Sequence, residues 1–199
     1  MDRRQFLGAS IALASGSVWA ASEKTTFQAR PVSEYPHRQT SENVTIAAEP
    51  FLTDEQARDA FGKVNPWREG ILPMLVVIQN DGPAAVRVDR IRFVYVLPDR
   101  TRIESTPAAE LRFLKGVKAP TTGPKMPKIP VVGKTGKNSM AEWEIEGRAF
   151  SAKMIPPGQS ASGFVYFQTS TSSHASTLYV SGLVNAVSGA ELYYFEVPQ

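Results

Sequence analysis

From Ile71 to Gln79 the chain is almost wholly apolar, with Met74, Leu75, Val76, Val77 and Ile78 in unbroken succession. The run is too short for a helix between its flanks and is rich in branched residues. It therefore predicts a strand buried on both faces or lying in the centre of a sandwich.

The remaining signals are short strands joined by turns. One strand is expected near Val44 to Ala48. Another is expected over Val86 to Leu97, where Ile91, Phe93 and Tyr95 alternate with Arg90, Arg92 and Val94. Pro98 and Asp99 turn the chain into a partner strand over Thr101 to Ser105. The last third adds strands over Gly163 to Gln168, Leu178 to Leu183 and Glu191 to Val197. Their turns fall at Pro156, Pro157 and Gly158, in the Ser/Thr-rich stretch from Thr169 to Ser176, and at Ser188 and Gly189.

Helices are brief. Thr53 and Gln56 stand three apart as in a capping box, Asp54 and Glu55 suit the positive end, Gly62 suits the stop, and Ala57, Ala60 and Phe61 form one apolar side. Thr106 and Pro107 start a second helix, expected through Ala109 and Leu111 to about Leu114 and ending near Gly116. Ser139 and Glu142 suit the cap of a short segment holding Trp143 and Ile145, for which a strand is the alternative. Many closely spaced strands with helices only in connections predict an all-β antiparallel sandwich. Residues 21–42 are polar, carry Pro31 and Pro36 and read as an extended or disordered leader, leaving 43–199 as one sandwich domain. Within it, residues 117–139 form a long loop rich in proline, glycine and lysine.

Two stretches resemble a known family. Ile155, Pro156, Pro157 and Gly158, followed by Gly163, Phe164, Val165, Tyr166 and Phe167, look like the late strands of immunoglobulin-like domains of bacterial envelope proteins. Ile71, Leu72 and Pro73, leading into Val76, Val77, Ile78, Gln79 and Asn80, are similar to the early strand of those domains and its asparagine turn. The resemblance implies an immunoglobulin-like β-sandwich and brings no catalytic residue with it, because fold does not fix function.

The start of the chain resembles a twin-arginine export signal. Arg3, Arg4, Phe6 and Leu7 match that pattern, while Asp2 and Gly8 depart from it. The apolar run from Phe6 to Ala20 is diluted by glycine and serine and falls short of the ~20 residues a spanning helix needs. Val18 and Ala20 place cleavage between Ala20 and Ala21. The expected destination is the periplasm or the exterior, with the membrane met only transiently through the signal.

The chain contains no cysteine. This excludes a lipid-anchored form, disulfides, covalent c-type haem, cysteine-ligated iron–sulfur clusters and blue copper, so no cofactor is expected. The formal charge is +3, and setting aside Asp2, Arg3 and Arg4 leaves a nearly balanced surface with no field that argues for nucleic acid.

Other motifs fall short of a chemistry. Lys128 to Thr135 ends like a phosphate-binding loop, but Lys128 replaces the first glycine and Gly136 follows where a helix should begin. Gly158 to Ser162 approaches a nucleophile elbow without its second glycine. The two histidines, His37 and His174, lie in the leader and in a Ser/Thr-rich loop, which argues against a catalytic base or a tight zinc or copper site. Asp54 and Glu55 on one side, and Glu142, Glu144 and Glu146 on the other, form two acidic clusters. They read as a helix start and a wet face, and an acid pair for glycoside cleavage would depend on their spatial geometry.

Lys115, Lys118, Lys125, Lys128, Lys134 and Lys137 occupy a stretch without an acid. Lys125, Lys128, Lys134 and Lys137 are the candidate contacts for an anionic envelope polymer, lipid headgroups or an acidic partner, and the plainer reading is a solvated loop. Tyr166, Phe167, Tyr193, Tyr194 and Phe195 offer a groove lining, although neighbours on a strand face opposite ways, so one of each pair belongs to the core. The expected function is that of an exported, non-catalytic β-sandwich that binds a protein or another component of the cell envelope. The alternatives are an accessory subunit or carrier of an exported redox or cofactor enzyme, and a carboxylate-dependent hydrolase.

Overall fold

The computed structural model describes residues 27–62, 64–111, 142–172 and 175–199. The export signal at Arg3, Arg4, Phe6 and Leu7, the cleavage site at Ala20 and Ala21, and the lysine stretch with Lys125, Lys128, Lys134 and Lys137 lie outside these residues.

The chain is mostly β, built on one large antiparallel sheet that is nearly barrel-shaped, a small second sheet and a few helices. In chain order the strands are β1 (Arg38–Ser41), β2 (Val44–Pro50), β3 (Ile71–Asn80), β4 (Val86–Arg87), β5 (Arg92–Val96), β6 (Arg102–Thr106), β7 (Met154–Ile155), β8 (Ser160–Gln168), β9 (Thr177–Ser181), β10 (Val184–Asn185) and β11 (Phe195–Pro198). Eight of them form the large sheet in the order β1-β2-β3-β8-β6-β5-β9-β11, and the small sheet runs β10-β4-β7. The helices are α1 (Asp54–Phe61), α2 (Ala108–Leu111) and α3 (Glu142–Glu146). Among the described residues no helix is long and apolar enough to cross a membrane.

β6 bends the large sheet. Its first half pairs with β5, from Val94 opposite Glu104 to Val96 opposite Arg102, whereas Ser105 and Thr106 pair with Phe167 and Tyr166 of β8. One short strand thus serves both halves, and the halves curve around a shared interior. At the far side the Glu196 backbone N–H donates to the side-chain oxygen of Gln39, drawing β11 against β1.

β3 is the doubly buried strand that its composition predicts. Leu72, Met74, Val76 and Ile78 point into the interior with Val44, Ile46, Phe93, Tyr95, Phe167, Leu178, Val180, Phe195 and Val197. Ile71, Leu75 and Val77 point outward into a second apolar layer formed with Ala57, Ala60 and Phe61 of α1, Leu111 of α2, Ile145 of α3, Tyr35 and Phe51. β8 repeats the pattern, with Val165 and Phe167 inside and Phe164 and Tyr166 outside. Phe164 is the centre of the outer layer, its ring 4.9 Å from Phe51, 4.6 Å from Phe61 and 5.5 Å from Phe27.

α1 forms as its sequence dictates. The Thr53 hydroxyl accepts from Gln56 N–H, the Gln56 side chain accepts from Thr53 N–H, and Gly62 caps the end with φ 67°. The asparagine turn is built by buried Asn80, whose Oδ1 accepts from Gly82 N–H and whose Nδ2 donates to the carbonyls of Ala84 and Ile155.

The structure departs from the sequence reading in three places. Residues 27–42, expected as an extended or disordered leader, are docked: Tyr35 is buried, and β1 pairs with β2 through a two-residue turn in which Glu42 and Asn43 have positive φ. Burial of Tyr35 and a strand ladder supply what the polar composition hid. The region Val86 to Leu97 is two strands, because Val88 N–H bonds to Lys153 and ties β4 into the small sheet before β5 joins the large one. The segment around Ile145, for which a strand is the alternative in the sequence, forms the short helix as expected, with Ile145 buried in the outer layer. β11 begins at Phe195 because Glu191 and Leu192 turn back to Val184 and Leu183.

Candidate functional site

Among the described residues, strand alternation leaves one outer face of the large sheet uncovered. In β5, Phe93 and Tyr95 face inward while Arg92, Val94 and Val96 face outward; in β9 Leu178 and Val180 face inward while Thr177, Tyr179 and Ser181 face outward. The register places Glu104, Val94, Tyr179 and Glu196 in one row across β6, β5, β9 and β11. Arg102, Val96, Thr177 and Pro198 form the next row. The rows mix charges with half-buried apolar groups.

Tyrosines mark the β9–β11 side of this face. Tyr194 is 58% exposed and stacks on Tyr179, with ring centroids 6.3 Å apart and planes 30° from parallel. Tyr193 beside it is 75% exposed. Partial desolvation, followed by the negative charge of Glu196, raises the Tyr179 phenol above its ordinary pKa, so it stays a neutral hydrogen-bonding group in neutral solution. Tyrosines that offer an apolar ring and a polar tip on an exposed surface suit recognition of a partner.

The aromatics singled out in the sequence therefore divide. Tyr166, Phe167 and Phe195 are core residues, while Tyr193 and Tyr194 are exposed. Tyr166 donates to the Ile145 carbonyl at 2.8 Å, and burial pushes its pKa far upward. Tyr179 was not among the residues singled out, although its place between Leu178 and Val180 on an alternating strand is the signal for an outward ring.

The carboxylates are not brought together. Asp54 is ion-paired with Arg68 and hydrogen-bonded to Asn65, and the Arg68 contact holds its carboxyl below the usual range. Glu144 approaches Gly62, at the opposite end of α1 from Asp54 and Glu55. A helix of that length separates the two positions by about 12 Å of rise, beyond the 6.5–9.5 Å typical of an inverting glycosidase pair. His37 is half-buried, with its carbonyl accepting from Ala48 N–H, and His174 lies outside the described residues, as does the side chain of Glu142. Among the described residues no three of His, Cys, Asp and Glu are grouped to hold a metal ion.

No family model matches the chain, and no curated protein matches it. Several solved structures resemble it distantly. A candidate lipoprotein from Bacillus subtilis is 11% identical, with 81% of this chain and 38% of that one covered and a TM-score of 0.39. A candidate ApaA protein from Bordetella pertussis is 12% identical, over 83% of this chain and 97% of that one, with a TM-score of 0.37. A functionally unknown protein from Listeria monocytogenes is 12% identical, over 81% and 80%, with a TM-score of 0.35. None of the three carries a role over to this chain.

Proposed function

We propose that this chain is an exported, non-catalytic immunoglobulin-like β-sandwich that binds another component of the bacterial cell envelope. The observation that carries the reading is the uncovered face with its Tyr179–Tyr194 stack and exposed Tyr193. On the other half of the sheet the outer face is sealed by α1, α2, α3 and Tyr35, whereas no described element covers the tyrosine-bearing half, which supports that half as the one that receives a partner. The sandwich assignment is supported by the way β6 divides its pairing between two halves that curve around one interior. Export is supported by Arg3, Arg4, Phe6 and Leu7, with cleavage expected between Ala20 and Ala21.

The test is capture from a native periplasmic extract with the wild-type chain and with a Tyr193→Ser/Tyr194→Ser double variant. Loss of the captured component from the double variant, with its folded signature retained, supports the reading. Equal recovery by both proteins removes this face from the account. Retention of the wild-type chain in the cytoplasm, with no change on replacing Arg3 and Arg4 by Lys, overturns the exported assignment.

A further inference from the structure

The bend in the large sheet leaves a cleft. β6 pairs with β8 only through Ser105 and Thr106, and past that point a different segment lies along β8. Phe164 N–H donates to the Arg148 carbonyl at 2.8 Å, and Phe150 N–H donates to the Phe164 carbonyl at 3.0 Å. Gly163 allows this approach: a Cβ there would stand 2.4 Å from the Phe150 Cα. Between the Phe150 segment and the end of β6 remains a cavity of about 340 Å³, within the range of small-molecule sites.

Its walls combine three kinds of group. Phe150 meets Phe93 edge to face at 5.8 Å and 73°, and Ile91 and Val165 extend the apolar wall. Ser105, Thr106 and Ser151 bring hydroxyls that make no hydrogen bond among the described residues. Of the two charged residues that line the cleft among those described, Asp89 is engaged by Arg87 at 3.0 Å, while Lys153 has no acidic partner among them. Among the described residues the uncompensated charge at the cleft is therefore positive, beside free hydroxyl donors and an aromatic wall.

We propose that this seam cleft binds a small monoanion with a flat apolar body, of the aryl carboxylate class, with the ring against Phe93 and Phe150 and the carboxylate at Lys153 and the neighbouring hydroxyls. The volume suits a small molecule, and the lining includes none of Tyr179, Tyr193 and Tyr194, so this site is separate from the tyrosine-bearing face. An ammonium and hydroxyls around a carboxylate give charge-assisted hydrogen bonds, and the aromatic wall favours a ring over an extended chain.

The experiment is an amide NMR titration of the whole chain with benzoate, with benzamide as the uncharged isostere and acetate as the anion without a ring. Saturable shifts confined to Ile91, Phe93, Ser105 and the stretch from Phe150 to Lys153, stronger for benzoate than for either control, are expected. Lys153→Gln, an exposed change that leaves the fold intact, is expected to weaken benzoate binding about five- to tenfold, the net scale of one hydrogen bond at an exposed site, and to leave benzamide unchanged. Phe150→Leu is expected to weaken benzoate and benzamide together. Equal binding of benzoate and benzamide, unchanged benzoate affinity in Lys153→Gln, or non-saturating shifts spread over the surface overturns the proposal.

Discussion

The outer faces of β2–β3–β8 and of β5–β9–β11 belong to the same sheet and are built on opposite plans. The first is apolar on both sides and needs a roof, which α1, α2, α3, Phe51 and Tyr35 provide. The second alternates, so its inward residues complete the interior while Arg92, Tyr179, Glu196 and Pro198 meet solvent or stand half-exposed. A strand's composition decides which side of the sheet the connections must cover. Stability is concentrated under the roof, and freedom to change lies on the open face.

The largest effect is expected from Phe164→Ala at the centre of the roofed layer. It removes the ring that Phe27, Phe51 and Phe61 surround and should cost about 3–5 kcal/mol in urea unfolding. A cost as small as that of an open-face change would erase the contrast. Next comes Gly163→Ala, which sets a methyl against the Phe150 backbone and should cost about 1–3 kcal/mol, read in the same denaturation experiment. Benzoate binding should weaken with it, because the cleft wall moves.

A pair of tyrosines sharpens the comparison. Tyr166→Phe leaves the buried Ile145 carbonyl without its donor and should cost about 1 kcal/mol, whereas Tyr95→Phe in the interior removes a hydroxyl with no partner among the described residues and should be neutral or stabilising. The opposite ranking of the two midpoints would mean that the roof is not hydrogen-bonded as described. The smallest effect on folding is expected from Tyr194→Ser on the open face, within about 0.5 kcal/mol by thermal unfolding. A larger loss would show that the face is structural before it is a docking surface.

Local signals made much of this architecture legible. The apolar run from Met74 to Ile78, the Thr53–Gln56 box and the alternation around Phe93 and Tyr95 each depend on neighbours in sequence, and each forms as read. What escaped depends on distant contacts. β1 is polar, and its place is set by pairing with β2 and by the burial of Tyr35. Phe150 and Lys153 carry no periodic pattern, and they meet Phe93 and Ser105 only because Gly163 admits a parallel segment along β8. Tyr193 and Tyr194 were visible as aromatics, but their exposure follows from the late start of β11, which the turn back to Leu183 determines.

The contact between Gln39 and Glu196 bears on how this chain behaves in a crowded compartment. A sheet that stops short of closure offers two rows of unpaired backbone groups, and such rows invite strands from other molecules. Here the two rims lie against each other, and the Gln39 amide oxygen already takes a backbone proton that an incoming strand would have to capture. A contact that adds little to the core thus occupies part of the rim where another strand would otherwise pair.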